Sequence, residues 1–131
     1  MVFSKDEKTI YVTNPRAGKV SVVDIKSGKV VNAFKVGKAV HGLDISDDGN
    51  RLFASSKKEN KLVAIDISSG KISQLLLKPE PYHINTIHGT GKIYVSSSSK
   101  PLIWVVDQKT LNRISTIKLP AGEAHQMAIV E

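Results

Sequence analysis

The sequence predicts an all-β fold built from repeated units, and three observations support this. A similar pattern of residues occurs three times along the 131-residue chain. Each copy consists of short runs rich in Val, Ile and Thr, separated by turn formers such as Gly, Asn, Asp and Pro. No segment has the ten-residue apolar stripe that an amphipathic helix requires.

The repeat is visible when the chain is aligned with itself. Its copies are TIYVTNPRAGKVSVVDIKSGKVV at 9–31, RLFASSKKENKLVAIDISSGKIS at 51–73 and KIYVSSSSKPLIWVVDQKTLNRIS at 92–115. Asp24 recurs 42 residues later as Asp66, and 41 residues further on as Asp107. Periods in the low forties are typical of β-propeller blades or helical HEAT-type arrays. Because the helical stripe is missing, the sequence predicts β-propeller blades of four antiparallel strands.

The turn that follows each recurring aspartate has its own chemistry. Gly28 and Gly70 come four residues after Asp24 and Asp66, where a tight hairpin demands a positive φ. The aspartate carboxylate is expected to accept hydrogen bonds from the backbone of its own turn. In the third copy Leu111 stands where the others have glycine, so the sequence predicts a different turn there.

About three blades fit in the chain, which reads as a single β-propeller repeat region over residues 1–131. The predicted blades are approximately 1–36, 41–77 and 83–118, with 125–131 as an inner strand of a further blade. Propellers close with about 4–8 blades, so three leave open edges. The sequence therefore predicts either a partial propeller whose other blades belong to the same gene product, or a homo-oligomer. A dimer would bring six blades together.

The first repeat carries a specific resemblance. IYVTN at 10–14, followed by KVSVVDIKSGKVV and then VHGLDISDDGNRLF, resembles the YVTN family of β-propeller repeats, which is related to the propeller domains of cytochrome-type nitrite reductases. The resemblance implies that the HGLDIS type of strand is innermost and the VVNAF type outermost. It also implies an extracytoplasmic setting, periplasmic or at the cell surface, and a protein partner or ligand bound at the channel face.

Three histidines recur at equal spacing. His41, His83 and His125 are 42 residues apart, each at the start of an inner strand. The resemblance places that position at the rim of the central channel. Imidazole suits zinc, copper and iron, so the three rings form a candidate metal site. The alternative is that the histidine is inherited with the repeat and bonds nearby backbone. No cofactor is predicted outright; copper or haem is the alternative that related propellers imply.

Composition excludes several other functions. The chain has no cysteine, which excludes disulfides, thiolate metal sites and a cysteine nucleophile. Its net charge of +7 comes from lysines scattered through the turns, which predicts a solvated surface and no nucleic-acid partner. No apolar run approaches the roughly 20 residues of a membrane span, and the N-terminus lacks the apolar core of a signal peptide.

These observations favour a non-enzymatic scaffold or binding module, a prediction that leans away from an enzyme without excluding one. The alternative is a redox-associated propeller that holds copper or haem through the repeated histidines in a larger assembly. A sugar-lactone hydrolase would need acidic metal ligands in the channel, and the inner strands offer only Asp44. The recurring histidines are the feature that discriminates among these functions.

Overall fold

The computed structural model describes residues 1–130, which form twelve β-strands and contain no helix. The first sheet comprises β1 (Val2–Phe3), β2 (Thr9–Asn14), β3 (Lys19–Asp24) and β4 (Lys29–Lys35). The second comprises β5 (Val40–Ile45), β6 (Arg51–Ser56), β7 (Lys61–Asp66) and β8 (Ile72–Leu76). The third comprises β9 (Pro81–Ile87), β10 (Lys92–Ser97), β11 (Leu102–Asp107) and β12 (Arg113–Lys118). In every sheet the four strands pair antiparallel in chain order. The predicted all-β fold of four-stranded blades is confirmed.

The recurring aspartates close the turn that follows the third strand of each blade. The carboxylates of Asp24, Asp66 and Asp107 each accept a hydrogen bond from the backbone N–H three residues later, at 2.7, 2.8 and 2.7 Å. Hydrogen bonds from the Ser68 hydroxyl and then from the Ser69 backbone lower the pKa of Asp66 to about 2. The predicted structural role of these aspartates is confirmed.

The third of these turns has the same geometry as the first two, so the expectation of a different turn is wrong. Leu111 has a φ of 59°, compared with 67° at Gly28 and 72° at Gly70. Its N–H donates to the Asp107 carbonyl at 3.0 Å, as each glycine N–H does in its own turn. Leu111 tolerates the left-handed conformation because its side chain is buried in the apolar core behind the turn.

The core lies between the blades. One apolar cluster joins the first and second sheets, and a second cluster joins the second and third. Successive residues of a strand point to opposite faces, so Leu52 belongs to one cluster and the adjacent Phe53 to the other. The middle blade is thus covered on both faces, and Trp104, 2% exposed, is among the largest side chains of the second cluster.

Polar side chains also brace the second blade against the third. The Asp47 N–H donates to Gln108 Oε1 at 2.9 Å, and Gln108 Nε2 donates back to the Asp47 carboxylate at 3.0 Å. The Asp44 carboxylate accepts hydrogen bonds from the backbone N–H and the hydroxyl of Thr86, at 2.7 and 2.9 Å. Asp44, the one acid that the inner strands offered for metal chemistry, is therefore engaged in holding two blades together.

The N-terminal end of the described chain is a paired strand, and the C-terminal end is not. At the N-terminus, β1 is followed by a turn in which the Ser4 hydroxyl donates to Asp6 at 2.6 Å, as Ser46 does to Asp48 at 2.5 Å after β5. At the other end, residues 121–130, the C-terminal segment, run beside the third blade without strand pairing. The predicted inner strand at 125–131 falls here, and its last residue, Glu131, lies outside the described residues.

Candidate functional site

Four aromatic and imidazole rings meet where the inner strands begin. The Tyr82 ring is at the centre, with centroids 4.7 Å from His41, 4.3 Å from His83 and 4.9 Å from His125, each pair meeting edge to face. The His83 and His125 rings are 5.2 Å apart. The structure therefore brings all three predicted histidines into one ring cluster, defined here as His41, Tyr82, His83 and His125.

The local cause is an irregularity near the start of β5 and of β9, where two residues lie opposite one residue of the neighbouring strand. In the second blade, His41 and Gly42 lie opposite Ser55, whose hydroxyl oxygen accepts the Gly42 N–H at 2.8 Å. In the third blade, the Ser96 hydroxyl oxygen accepts the His83 N–H at 3.2 Å. Gly42 and His83 consequently occupy equivalent positions in successive blades.

This register separates His83 from the other two histidines. The residue equivalent to His41 in the third blade is Tyr82, which precedes His83. The Ser55 hydroxyl donates to the Tyr82 carbonyl, and the Ser96 hydroxyl donates to the His125 carbonyl at 3.0 Å. His41, Tyr82 and His125 thus occupy equivalent positions in β5, β9 and the C-terminal segment, whereas His83 lies one residue later than the equivalent position in β9.

The offset carries the His83 ring into the junction between the third blade and the C-terminal segment. Its Nε2 is buried and has no hydrogen-bond partner, the one side-chain nitrogen or oxygen in that state among residues 1–130. Burial lowers the pKa of His83, and the neighbouring imidazoles of His125 and His41 lower it further. His83 is therefore a neutral imidazole with a free ring nitrogen at neutral pH.

Two charged side chains flank the cluster. Lys57 Nζ lies 5.3 Å from the centroid of the Tyr82 ring and 3.8 Å from a Glu80 carboxylate oxygen. The Glu80 carboxylate also accepts the Ser98 hydroxyl at 3.1 Å. Burial lowers the pKa of His41, and the positive charge of Lys57 adds to this effect. The cluster and its surroundings thus combine three imidazoles, a phenol and an ammonium group that contacts an aromatic face.

The histidines of the predicted metal site pack edge to face in the ring cluster. Across the described residues 1–130, no three His, Cys, Asp or Glu side chains are placed to hold one metal ion. His41 meets the Tyr82 ring, while His83 and His125 meet both that ring and each other. Among these rings, His83 has a buried ring nitrogen without a hydrogen-bond partner, and His125 is an adjacent imidazole.

Sequence reasoning missed Tyr82, Lys57 and Glu80. The signal for Tyr82 was present: the aspartates of the second and third blades are 41 residues apart, whereas His41 and His83 are 42 apart. That one-residue difference makes Tyr82, and not His83, the counterpart of His41. Lys57 lies in the β6–β7 turn and Glu80 in the β8–β9 loop, and the repeat pattern does not indicate that these two segments are close in space.

The fold is similar to that of several solved structures. The chain superposes on hydrazine synthase of Kuenenia stuttgartiensis with a TM-score of 0.86 and 19% identity, over 92% of this chain and 35% of that chain. The dihydro-heme d1 dehydrogenase NirN, solved in complex with DHE, gives 0.72 and 14%, over 88% and 25%. Apo AztD from Citrobacter koseri gives 0.69 and 17%, over 83% and 31%. The chain spans between a quarter and about a third of the length of these proteins.

The sequence comparisons identify the family. No curated protein sequence matches the chain, and residues 1–130 contain no helix of the length and apolarity needed to cross a membrane. The family model described as outer membrane protein assembly factor BamB matches residues 2–116. Since that match runs through all three blades, the chain belongs to the family of the outer membrane protein assembly factor BamB.

Proposed function

We propose that this chain is a non-enzymatic propeller module of the YVTN type, which binds a protein partner or small ligand at the channel face through the ring cluster. One observation carries the proposal: equivalent positions in β5, β9 and the C-terminal segment place His41, Tyr82 and His125 side by side. The YVTN-like repeat and the BamB family match support an extracytoplasmic setting, periplasmic or at the cell surface.

The chemistry of the cluster suits binding better than catalysis. Tyr82 and His41 are half-buried and His125 is exposed, so the rings present an apolar surface with polar edges. Lys57 adds a positive charge beside them. Rings held by a rigid scaffold lose little conformational freedom when a partner docks, and tyrosine is enriched among the residues that dominate binding energy. A partner with an acidic or planar group fits this surface.

Site-specific photocrosslinking tests the proposal. Benzoylphenylalanine replaces Tyr82 in the protein expressed in its own cell, and a matched variant carries it at Val31 on the outermost strand of the first blade, which is 63% exposed. We expect a discrete adduct after irradiation at position 82 and none at position 31. Adducts at both positions, or at neither, would count against a channel-face binding site.

A second candidate function is favoured by the buried, unpartnered Nε2 of His83. In a redox-associated propeller, that nitrogen would hold copper or a haem iron, with His125 as the neighbouring donor. Two of the similar structures, hydrazine synthase and NirN, have names that indicate redox chemistry. A bound metal or haem would supply the electron transfer, while this chain would hold and orient it.

Visible absorption separates the two functions. The purified protein is titrated with haemin and, separately, with Cu(II), beside the variants His83→Gln and His88→Gln. His88 is exposed in a turn and serves as the control. A new band that disappears only with His83→Gln would support the redox role. Identical spectra for all three proteins would exclude it and leave the binding module standing.

The three blades form part of a propeller, which other blades must complete. Those blades come either from the same gene product or from a second copy of this chain, and a dimer would supply six. Size-exclusion chromatography with light scattering on this 131-residue chain distinguishes the two sources. A folded dimer supports completion by a second copy, whereas a stable folded monomer assigns the remaining blades to the same gene product.

A further inference from the structure

A basic groove lies between the first and second blades, and none of the ring-cluster residues line it. Its volume is about 610 Å³, and its walls are the β2–β3 turn, the β4–β5 loop and the β6–β7 turn. Four cationic side chains line it: Arg16, Lys35, Lys38 and Lys58. The volume falls within the range of about 300–1,000 Å³ that is typical of small-molecule sites.

The groove has one acidic lining residue, Glu59, and its charge is already used. The Glu59 carboxylate lies 2.8 Å from Lys61 Nζ and accepts the Ser56 hydroxyl at 3.3 Å. The hydrogen bond from Lys61 lowers the pKa of Glu59, with further help from the Lys61 charge and from Ser56. Glu59 is therefore ionised and paired, which leaves the four cations of the groove in excess.

The repeat does not require these cations. Equivalent hydrogen bonds identify the equivalent positions in the junction between the second and third blades. The Ser56 hydroxyl donates to the Lys38 carbonyl at 2.8 Å, and the Ser97 hydroxyl donates to the Pro79 carbonyl at 2.6 Å. By this register, Lys35, Lys38 and Lys58 correspond to Leu76, Pro79 and Ser99. These three cations of one junction thus have uncharged residues at the equivalent positions of its counterpart.

The floor of the groove is made of small residues. Gly18 is buried, and a Cβ at that position would collide with the Gly37 carbonyl. Ala17 and Ala39 also line the groove, so the four long cationic side chains supply its positively charged binding groups. Arg16 adds a planar guanidinium, whose fork of donors matches the oxygens of a phosphate or sulfate group.

We propose that this groove binds a small multivalent anion of the phosphate or sulfate class. Four cations within one site favour several negative charges on one compact ligand. The lining contains no aromatic ring on which a planar ligand could stack, which favours an oxyanion over an aromatic ligand. The proposal is independent of the ring cluster, which involves none of the residues that line the groove.

Isothermal titration with inorganic tripolyphosphate tests the proposal. The groove variant is Arg16→Ala/Lys38→Ala, and the control is Lys26→Ala/Lys92→Ala, which removes the same charge from two exposed lysines outside the groove. We expect the groove variant to bind about tenfold more weakly or worse, a difference of about 1.4 kcal/mol per decade, and the control to match the parent. Equal losses in both variants, or no binding by the parent protein, would overturn the site.

Two further titrations identify the class of anion. A sulfated disaccharide replaces tripolyphosphate in the first, which distinguishes a sulfate source from a phosphate source within the proposed class. Poly-glutamate replaces it in the second. Binding of poly-glutamate that the groove variant loses, with no binding of either small anion, would assign the groove to an acidic protein surface and overturn the small-ligand proposal. Binding should weaken between low salt and about 150 mM salt because mobile ions screen exposed charges.

Discussion

The inner strands β5 and β9 share the same irregular start, and one of the equivalent positions at which they differ is Gly42 in β5 and His83 in β9. In both strands that residue donates its N–H to a serine hydroxyl, and the same hydroxyl donates to the next inner-strand position. The backbone and the serines therefore maintain the propeller geometry, while the side chain at this position decides what the junction can do.

The two junctions differ accordingly. At the β5–β9 junction the absence of a side chain lets the strands pack closely, and Asp44 and Thr86 tie them together with buried hydrogen bonds. At the junction of β9 with the C-terminal segment, His83 fills the equivalent space and leaves a ring nitrogen unpaired. One junction is built for stability and the other has unused bonding capacity, as expected where binding sites are placed on a rigid scaffold.

The largest expected effect comes from giving β5 a side chain at this position. In Gly42→Ala the new Cβ would lie 2.8 Å from Ile84 Cγ1 and 2.9 Å from Ser55 Oγ, and would also collide with the Tyr82 carbonyl. The blades would have to separate, so we expect the free energy of unfolding to fall by about 3 kcal/mol. Urea denaturation measures the change.

Gly89→Ala is the matched control for that substitution. Gly89 has a φ of 81° and open space around its Cβ position, so it reports conformational strain without collision. Its cost should be about 1 kcal/mol. If both substitutions cost the same, close packing of the blades at Gly42 is not what distinguishes the two junctions.

The next effect compares the two serines. Ser55→Ala leaves the Gly42 N–H and the Tyr82 carbonyl without their partner inside a closed junction, and should cost about 2 kcal/mol. Ser96→Ala removes the equivalent bonds, but water can reach the carbonyl of the exposed His125, so about 1 kcal/mol is expected. Equal costs in chemical denaturation would mean that the two junctions are equally closed.

Much of the fold could be predicted because it repeats. The aspartate turns, the four strands of each blade and the number of blades all follow from self-similarity and local turn chemistry. The turn at Leu111 could not be predicted, since whether a leucine accepts a left-handed φ of 59° depends on the core that buries its side chain. Tertiary packing overrode the local preference at that position.

The candidate site was less predictable. Periodicity correctly selected three histidines that meet, because residues at equivalent inner-strand positions lie near the same axis. The sequence signals that His83 is one residue out of register only through the 41-residue spacing of Asp66 and Asp107, because the two-residue irregularity opposite Ser96 is set by hydrogen bonding between strands. Lys57 reaches the Tyr82 ring, and Glu80 reaches Lys57, from loops, where side-chain direction depends on the surrounding tertiary structure.

The smallest expected effect is a pH dependence of the free energy of unfolding that arises from the partly buried histidines of the ring cluster. Burial lowers the folded-state pKa of His83 and of His41 below the ordinary value of 6.5. A depressed histidine pKa means that the unfolded chain binds the proton more readily than the folded chain. The stability that the neutral imidazoles contribute is therefore complete above about pH 6.5, and it is lost as the pH falls from there to the folded-state pKa. The turn carboxylate of Asp66, with a pKa lowered from 3.8 to about 2, acts only at lower pH. We therefore expect the urea midpoint to decrease as the pH is lowered from about 7 to about 5. The decrease should be smaller in His83→Gln, and in His88→Gln it should equal that of the parent protein. If His83→Gln does not reduce this pH dependence, the imidazole of His83 is solvated. The junction of β9 with the C-terminal segment would then have its hydrogen-bonding groups paired as fully as the β5–β9 junction.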